Sequence, residues 1–194
     1  VSTNLVPGVT VDQSNSTICA GATVSFTATG VNGGSSPTYQ WRINGVNTGS
    51  GSNIFSTSGL ATNDVVSVLF TSNASCVSVS TATAAGVAMV VNNNLVPTVS
   101  ISGVPAGGIC SGTLVTLTAN GSNGGSSPTY QWRVNGVNTG TGSNVFSSSS
   151  LGNGDVVSVV MTSNALCLAS VTGTGFTPAL TVTSSLVPTV SVTS

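Results

Sequence analysis

Apolar and polar residues alternate in short runs along the chain, and clusters of Gly, Asn and Ser separate the runs. A period of two places alternate side chains on one face of a strand, whereas a helix needs apolar residues every three or four positions. Val and Thr dominate the runs, and both favour a pleated, half-buried surface. The pattern predicts an all-β chain, with strands in its first half at 9–11, 23–29, 38–43, 46–48, 53–56, 65–71, 77–81 and 87–91.

The alternation also indicates which side chains face the core. Trp41 and Trp132 each occupy the middle of an alternating run, so we expect core packing for both rather than exposed platforms for sugar rings. The dipeptide NG follows each of these runs, and both residues tolerate the positive φ of a two-residue type I′ hairpin. The predicted inward residues are Val24, Phe26, Ala28, Tyr39, Trp41, Ile43, Val66, Val68 and Phe70, and in the second half Val115, Leu117, Ala119, Tyr130, Trp132, Val134, Val157, Val159 and Met161.

The chain repeats itself with an offset of 91 residues. GGSSPTYQWR at 33–42 returns unchanged at 124–133, and the four cysteines obey the same offset. The tripeptide LVP opens each copy, at 5–7, 95–97 and 186–188. A strict period of this kind is typical of repeat arrays. We therefore predict a window on a longer array, with modules at 1–94 and 95–185 and the first strand of a third, truncated repeat at 186–194.

Charged residues are nearly absent, since two Arg and three Asp make up 3% of the chain and give a net charge of −1. Nucleic-acid binding needs clustered cations, and a membrane helix needs roughly 18 to 20 apolar residues in a row. We expect neither nucleic-acid binding nor membrane insertion. Catalysis needs a base, an activated nucleophile or a metal, and the chain has no His and no Glu. We therefore expect no enzyme activity, no catalytic residue, no metal site and no cofactor.

The two Arg and two of the three Asp occupy equivalent positions in the repeat. We expect Asp64 and Asp155 either to cap a turn or to form salt bridges with Arg42 and Arg133. A calcium site would need several converging oxygen ligands, and one such Asp per module is thin support for it.

Each module carries two cysteines with one Trp between them. An even number at a repeated spacing, in a chain without His, favours disulfides over metal sites. Buried free thiols are the alternative, because Cys packs well as a small apolar residue. We expect intramodule disulfides Cys19–Cys76 and Cys110–Cys167 that clamp one end of each module, and an exported protein.

The order Cys, Trp, Cys resembles the immunoglobulin fold, in which a central Trp packs against a disulfide. ICAGA at 18–22, YQWRINGV at 39–46 and NDVVSV at 63–68 together resemble the Ig-like and PKD-like tandem repeats of giant Bacteroidota cell-surface proteins. The resemblance covers nearly the whole chain. It implies tandem immunoglobulin-like antiparallel β-sandwich modules, export by the type 9 secretion route, and display at the cell surface as adhesins, gliding-associated filaments or other appendages.

We interpret the chain as a structural and adhesive repeat segment of a large extracellular surface protein or appendage fibre. Its expected partners are identical chains in a fibre and a cell-surface or glycan ligand. The alternative is a carbohydrate-binding or spacer module of a secreted polysaccharide-degrading enzyme, which predicts a planar row of exposed aromatic rings. An ice- or mineral-binding surface of Thr and Val ladders is a third interpretation, but the TxT tracts are short.

Overall fold

The computed structural model describes residues 4–184 and residue 190, and the regular elements among them are all β-strands. The chain divides into two compact units, Val1–Asn94 and Leu95–Ser194. The division falls between residues 94 and 95, where the sequence repeat also places the module boundary. The predicted strand of a third repeat at 186–194 lies outside the described residues, apart from residue 190.

The first module is an immunoglobulin-like sandwich of two antiparallel sheets with a short parallel pair at one end. One sheet has the order β1-β3-β6, and the other has the order β5-β4-β7-β8 with β9 also paired to β7. The parallel pair joins β2 to β10. The strands are β1 (Gly8–Gln13), β2 (Thr17–Cys19), β3 (Val24–Val31), β4 (Thr38–Ile43), β5 (Val46–Ser50), β6 (Ile54–Thr57), β7 (Val65–Thr71), β8 (Thr81–Thr83), β9 (Val87–Ala88) and β10 (Val90–Asn92).

The second module repeats this architecture. Its sheets have the orders β11-β13-β16 and β15-β14-β17-β18, and β12 pairs in parallel with β19. The strands are β11 (Thr98–Ser102), β12 (Ile109–Cys110), β13 (Val115–Ser122), β14 (Thr129–Val134), β15 (Val137–Thr141), β16 (Val145–Ser148), β17 (Val157–Thr162), β18 (Thr172–Phe176) and β19 (Val182–Thr183).

The core of each module lies between its two sheets, on the faces that the alternation indicates. Trp41 is 1% exposed, its ring stacks on Phe55 with centroids 5.7 Å apart, and its Nε1 donates to the carbonyl of Ser52 at 3.0 Å. Trp132 is equally buried and donates to the carbonyl of Ser143 at 3.0 Å. A buried indole whose N–H has a partner gains from packing without stranding a donor. Tyr39, Ile43, Tyr130 and Val134 are half-buried at the margins of the cores.

The predicted hairpins form at both NG dipeptides. Asn44 and Gly45 have φ of 51° and 80°, and Asn135 and Gly136 have φ of 51° and 82°. Positive φ at both central residues is the signature of the type I′ turn, whose twist matches that of the flanking strands.

Two features of the strand pattern were not predicted. The parallel strand β2, which carries Cys19, is not among the strands predicted from the sequence, and the strand predicted at 77–81 begins only at Thr81. Cys76 has a positive φ of 60°, so the chain turns there, and Val77 forms only an isolated bridge with Leu5. A left-handed backbone at a non-Gly residue is uncommon and leaves no mark in the hydrophobic pattern.

Candidate functional site

The two Asp residues singled out by the repeat cap turns at the edge of each module. Asp64 Oδ2 accepts from the backbone N–H of Ala61 at 2.8 Å, and Asp64 Oδ1 accepts from Asn44 Nδ2 at 2.7 Å. Asp155 forms the equivalent bonds with Gly152 and Asn135, both at 2.7 Å. The sequence analysis expected these two Asp residues either to cap a turn or to form salt bridges, and the bonds described here are turn caps.

The two Arg residues have amide partners. Arg42 Nε donates to Asn47 Oδ1 at 3.0 Å, and Arg133 Nε donates to Asn138 Oδ1 at 2.9 Å. Both bonds tie neighbouring strands of one hairpin together. These amide contacts of the two Arg, together with the turn caps of Asp64 and Asp155, account for the positions of all four charged side chains without the expected salt bridges.

These caps should make stability depend on pH. The backbone N–H of Ala61, and then the amide of Asn44, lower the pKa of Asp64 from 3.8, and the equivalent groups lower the pKa of Asp155. A carboxyl whose pKa is lower in the folded state stabilises the fold above its unfolded pKa, and this contribution is lost as the pH falls through the folded pKa. We expect a melting temperature that declines below pH 3.8.

The double variant Asp64→Asn, Asp155→Asn should melt lower at neutral pH and lose this acid-dependent decline. Calorimetric melting temperatures between about pH 2 and 7 measure both effects. Asn47→Ala, which removes an exposed contact of Arg42, is the control: it should lower the melting temperature equally at every pH. An unchanged acid slope in the double variant would contradict the assignment.

Within residues 4–184, no three His, Cys, Asp or Glu side chains lie together in a way that could hold a metal ion. That part of the chain also has no helix long and apolar enough to cross a membrane.

A shallow groove of about 390 Å³ lies beside Asp155 in the second module. Phe146 and Leu151 line it together with four hydroxyl side chains. Phe146 is half-buried and stacks on Trp132 with centroids 5.5 Å apart, so much of its ring serves the core. All nine aromatic residues lie among the described residues, and only Phe176 is exposed. A planar row of exposed rings is therefore not formed.

The cysteines of each module lie at opposite ends of its sandwich. Cys19 ends β2, and a short turn joins it to Val24, the first residue of β3. The carbonyl of Cys76 accepts from the N–H of Leu5 at 2.8 Å, and Leu5 leads into Gly8, which pairs with Val31 at the last position of β3. Eight residues of strand separate the two ends by about 23 Å.

The predicted intramodule disulfides are therefore wrong. A disulfide needs Cα atoms within about 7 Å of each other, which the length of β3 does not allow. Cys76 and Cys110 are exposed free thiols, whereas Cys19 and Cys167 are disulfide-bonded. The prediction used the constant spacing of the cysteines along the sequence, and this spacing carries no information on which end of the sandwich each one reaches.

The disulfide-bonded cysteines indicate an extracellular protein. Disulfides persist in oxidising compartments outside the cytosol and are rare where thiol reductants act. This conclusion depends on Cys19 and Cys167 being bonded and not on the pairing predicted from the sequence.

No family model matches the chain, and neither does any curated protein. Among solved structures, it is similar to part of a 1.5-MDa bacterial ice-binding adhesin studied for host cell surface retention, with a TM-score of 0.56 and 20% identity over 95% of this chain and 66% of that one. It also aligns with three N-terminal domains of the bacteriophage RB49 highly immunogenic outer capsid protein, with a TM-score of 0.41 and 12% identity over 91% of this chain and 59% of that one. Fibronectin(III)-like modules of Clostridium thermocellum CbhA align with a TM-score of 0.39 and 15% identity, over 90% of this chain and 94% of that one.

At 20% identity, the adhesin shows a shared fold and nothing further. This chain spans less than two thirds of the phage and adhesin chains. The likeness to the adhesin agrees with the all-β architecture described above, and function has to be argued from the modules themselves.

Proposed function

We propose that the chain is a structural and adhesive repeat segment of a large extracellular surface protein or appendage fibre, one that extends from the cell for attachment to surfaces or other cells. The observation that carries the proposal is the path of the chain through a module. The chain enters at Leu5, beside Cys76, and leaves at Asn92, which pairs with Cys19 at the other end of β3. A module with its entry and exit at opposite ends adds length with every copy of the repeat.

The surface of the modules supports self-association with identical chains. Charge keeps soluble proteins apart, and this chain has five charged residues in all. Large apolar side chains are exposed, among them Val46 at 66% and Val137 at 67%, which are equivalent in the two modules. Because these residues are equivalent in the repeat, they occur once in every module. A second chain with the same repeat presents the same residues once in every module, so the two chains can make the same contact repeatedly.

The cellular setting is part of the proposal. The motifs shared with Bacteroidota surface repeats favour export by the type 9 route and display on the cell surface. The ligand would be a cell-surface group or a glycan, bound by these repeats or by another part of the same protein. The proposed role is non-enzymatic, because a sequence with three Asp, no His and no Glu offers few groups for acid–base or nucleophilic chemistry.

A carbohydrate-binding or spacer module of a secreted polysaccharide-degrading enzyme is the second candidate. The hydroxyl-lined groove beside Asp155 is the feature that favours it. A carbohydrate-binding function predicts that the purified chain is retarded in gels that contain a soluble polysaccharide. The retardation should then vanish in the variant Ser150→Trp, whose larger side chain fills the groove. We expect no retardation.

Cryo-electron microscopy of the native protein tests the leading proposal. We expect fibres in which several chains lie side by side in each cross-section. Single beaded chains at every concentration would contradict self-association. Replacement of Val46 and Val137 by Asp should disperse the fibres, whereas Val46→Thr and Val137→Thr, which add no charge, should leave them assembled.

A further inference from the structure

Asn–Gly dipeptides recur along the chain, with Asn at residues 32, 44, 120, 123, 135 and 153. Asn is a thermolabile residue, because its side-chain amide can be lost when the backbone nitrogen of the next residue attacks the carbonyl carbon Cγ. Gly has no side chain to hinder that attack, so Asn–Gly is a reactive pair. A fold that holds the Asn side chain away from this nitrogen therefore slows the loss of the amide.

The side chain of Asn44 is held at both of its polar atoms. Its Nδ2 donates to Asp64 Oδ1 at 2.7 Å, and its Oδ1 accepts from the backbone N–H of Val65 at 2.9 Å. The carboxamide has to release both bonds before its Cγ can face the nitrogen of Gly45. Loss of two hydrogen bonds, one of them to a carboxylate, lowers the population of the reactive geometry by about tenfold or more.

The second module contains a firmly held Asn–Gly and a less firmly held one. Asn135 donates to Asp155 at 2.7 Å and accepts from the N–H of Val156 at 3.0 Å, as Asn44 does with its own partners. Asn153 has a single side-chain hydrogen bond within the described part of the chain, from the N–H of Val182 to its Oδ1 at 3.1 Å. The fold therefore protects Asn135 more than Asn153.

Loss of the amide would damage the turn that protects it. The Nδ2 of Asn44 is a donor to Asp64, and a carboxylate at residue 44 would offer no donor and would place a second negative charge beside the first. Two neighbouring carboxylates disfavour each other's ionised form. The isoaspartyl product also adds a methylene to the main chain of a two-residue turn, whose twist has to match that of the flanking strands.

We propose that Asn44 and Asn135 are deamidation sites that the folded module protects and that unfolding opens, so that a module kept unfolded does not regain its original stability. The nitrogen of Gly45 bonds to Cγ of Asn44, and the side-chain nitrogen leaves as ammonia with the proton of the Gly45 N–H. Water then opens the five-membered imide to Asp or isoaspartate. Gly136 acts on Asn135 in the same way. The proposal does not depend on the adhesive role.

Mass spectrometry of aged protein measures the protection. The whole chain is kept in mildly alkaline buffer with and without urea, then reduced and cleaved by trypsin at Arg42 and Arg133. Asn135 and Asn153 fall in the same fragment, 134–194, so their deamidation is compared within one peptide. Without urea, we expect Asn135 to deamidate at least about tenfold more slowly than in urea, and more slowly than Asn153. Equal rates at Asn135 with and without urea would overturn the proposal.

A rescue experiment tests the damage to the turn. Asn135→Asp, which creates the product of deamidation, should lower the melting temperature of the second module. Addition of Asp155→Asn should then raise it again, because the exchanged pair restores one amide donor and one carboxylate acceptor. Asp155→Asn alone is the matched control and should lower the melting temperature. A further loss in the double variant would contradict the role of the paired charges.

Refolding of the urea-aged wild-type protein tests the consequence without any substitution. We expect a fraction of the second modules to melt at a lower temperature after removal of urea, and this fraction should equal the fraction deamidated at Asn135. Protein unfolded in urea only briefly is the control and should regain its full melting temperature. Full recovery of the aged protein despite complete deamidation at Asn135 would contradict the proposal.

Discussion

Replacement of Trp41 by Ala should unfold the first module under conditions in which the second stays folded. Trp41 is 1% exposed, with the rings of Phe26 and Phe55 at 6.2 and 5.7 Å. Truncation of a buried Trp removes its transfer free energy and leaves a cavity, at a cost of about 3–5 kcal/mol. The loss also strands the carbonyl of Ser52, which accepts from the indole. Single domains are stable by only about 5–15 kcal/mol, so the loss is a large share of the total.

Calorimetry measures this effect, because each module is a compact unit. We expect one transition to fall by many degrees and the other to stay in place. Trp132, the remaining indole, then reports the second module by fluorescence. Trp132→Ala should give the mirror image, and Val46→Ala, at a side chain that is 66% exposed, should change neither transition. Equal shifts of both transitions would show that the modules do not unfold separately.

Gly125→Ala should destabilise the second module by about 2–5 kcal/mol, whereas Gly136→Ala should cost about 1–2 kcal/mol. Both glycines have positive φ, 80° and 82°, so the intrinsic strain on an added Cβ is the same. They differ in the space that is available to the added Cβ. A Cβ at Gly125 would lie 2.5 Å from the backbone N of Ala165 and 2.8 Å from the carbonyl carbon of Asn164, whereas a Cβ at Gly136 has no neighbour within 4 Å.

The difference in unfolding free energy between the two variants measures the cost of the steric contact alone, because the backbone strain is common to both. Urea unfolding in a Trp41→Phe background measures it, since Trp132 is then the sole indole and lies in the affected module. Gly34→Ala and Gly45→Ala in a Trp132→Phe background repeat the comparison in the first module, where Gly34 approaches Asn73 and Ala74 in the same way. Equal costs for Gly125→Ala and Gly136→Ala would mean that the loop at Asn164 moves aside at little cost.

Most of the fold could be predicted from the sequence because its signals are local. Alternation placed Trp41 and Trp132 in the core, and the NG dipeptides located the hairpins, since each signal depends on residues within one strand or turn. The turn caps at Asp64 and Asp155 were also among the expectations. Each of these features is set by neighbours close along the chain.

The cysteine pairing could not be predicted because it depends on position along the axis of the sandwich. Cys19 and Cys76 have the right separation in sequence for a bond, but β3 holds them apart. The parallel strand β2 was missed for a related reason. It is three residues long, and its partner β10 lies more than 70 residues further along the chain, too far for a local pattern to indicate.

The parallel pairing at the exit of the chain also determines how a single module would respond to force. The chain leaves the first module through β10, which runs parallel to β2 and pairs with it at Val90, Val91 and Asn92. A force along β10 would load these paired strands in shear, so that their hydrogen bonds would have to break together. A module of this design should resist a pull up to a threshold force and then unfold in a single step.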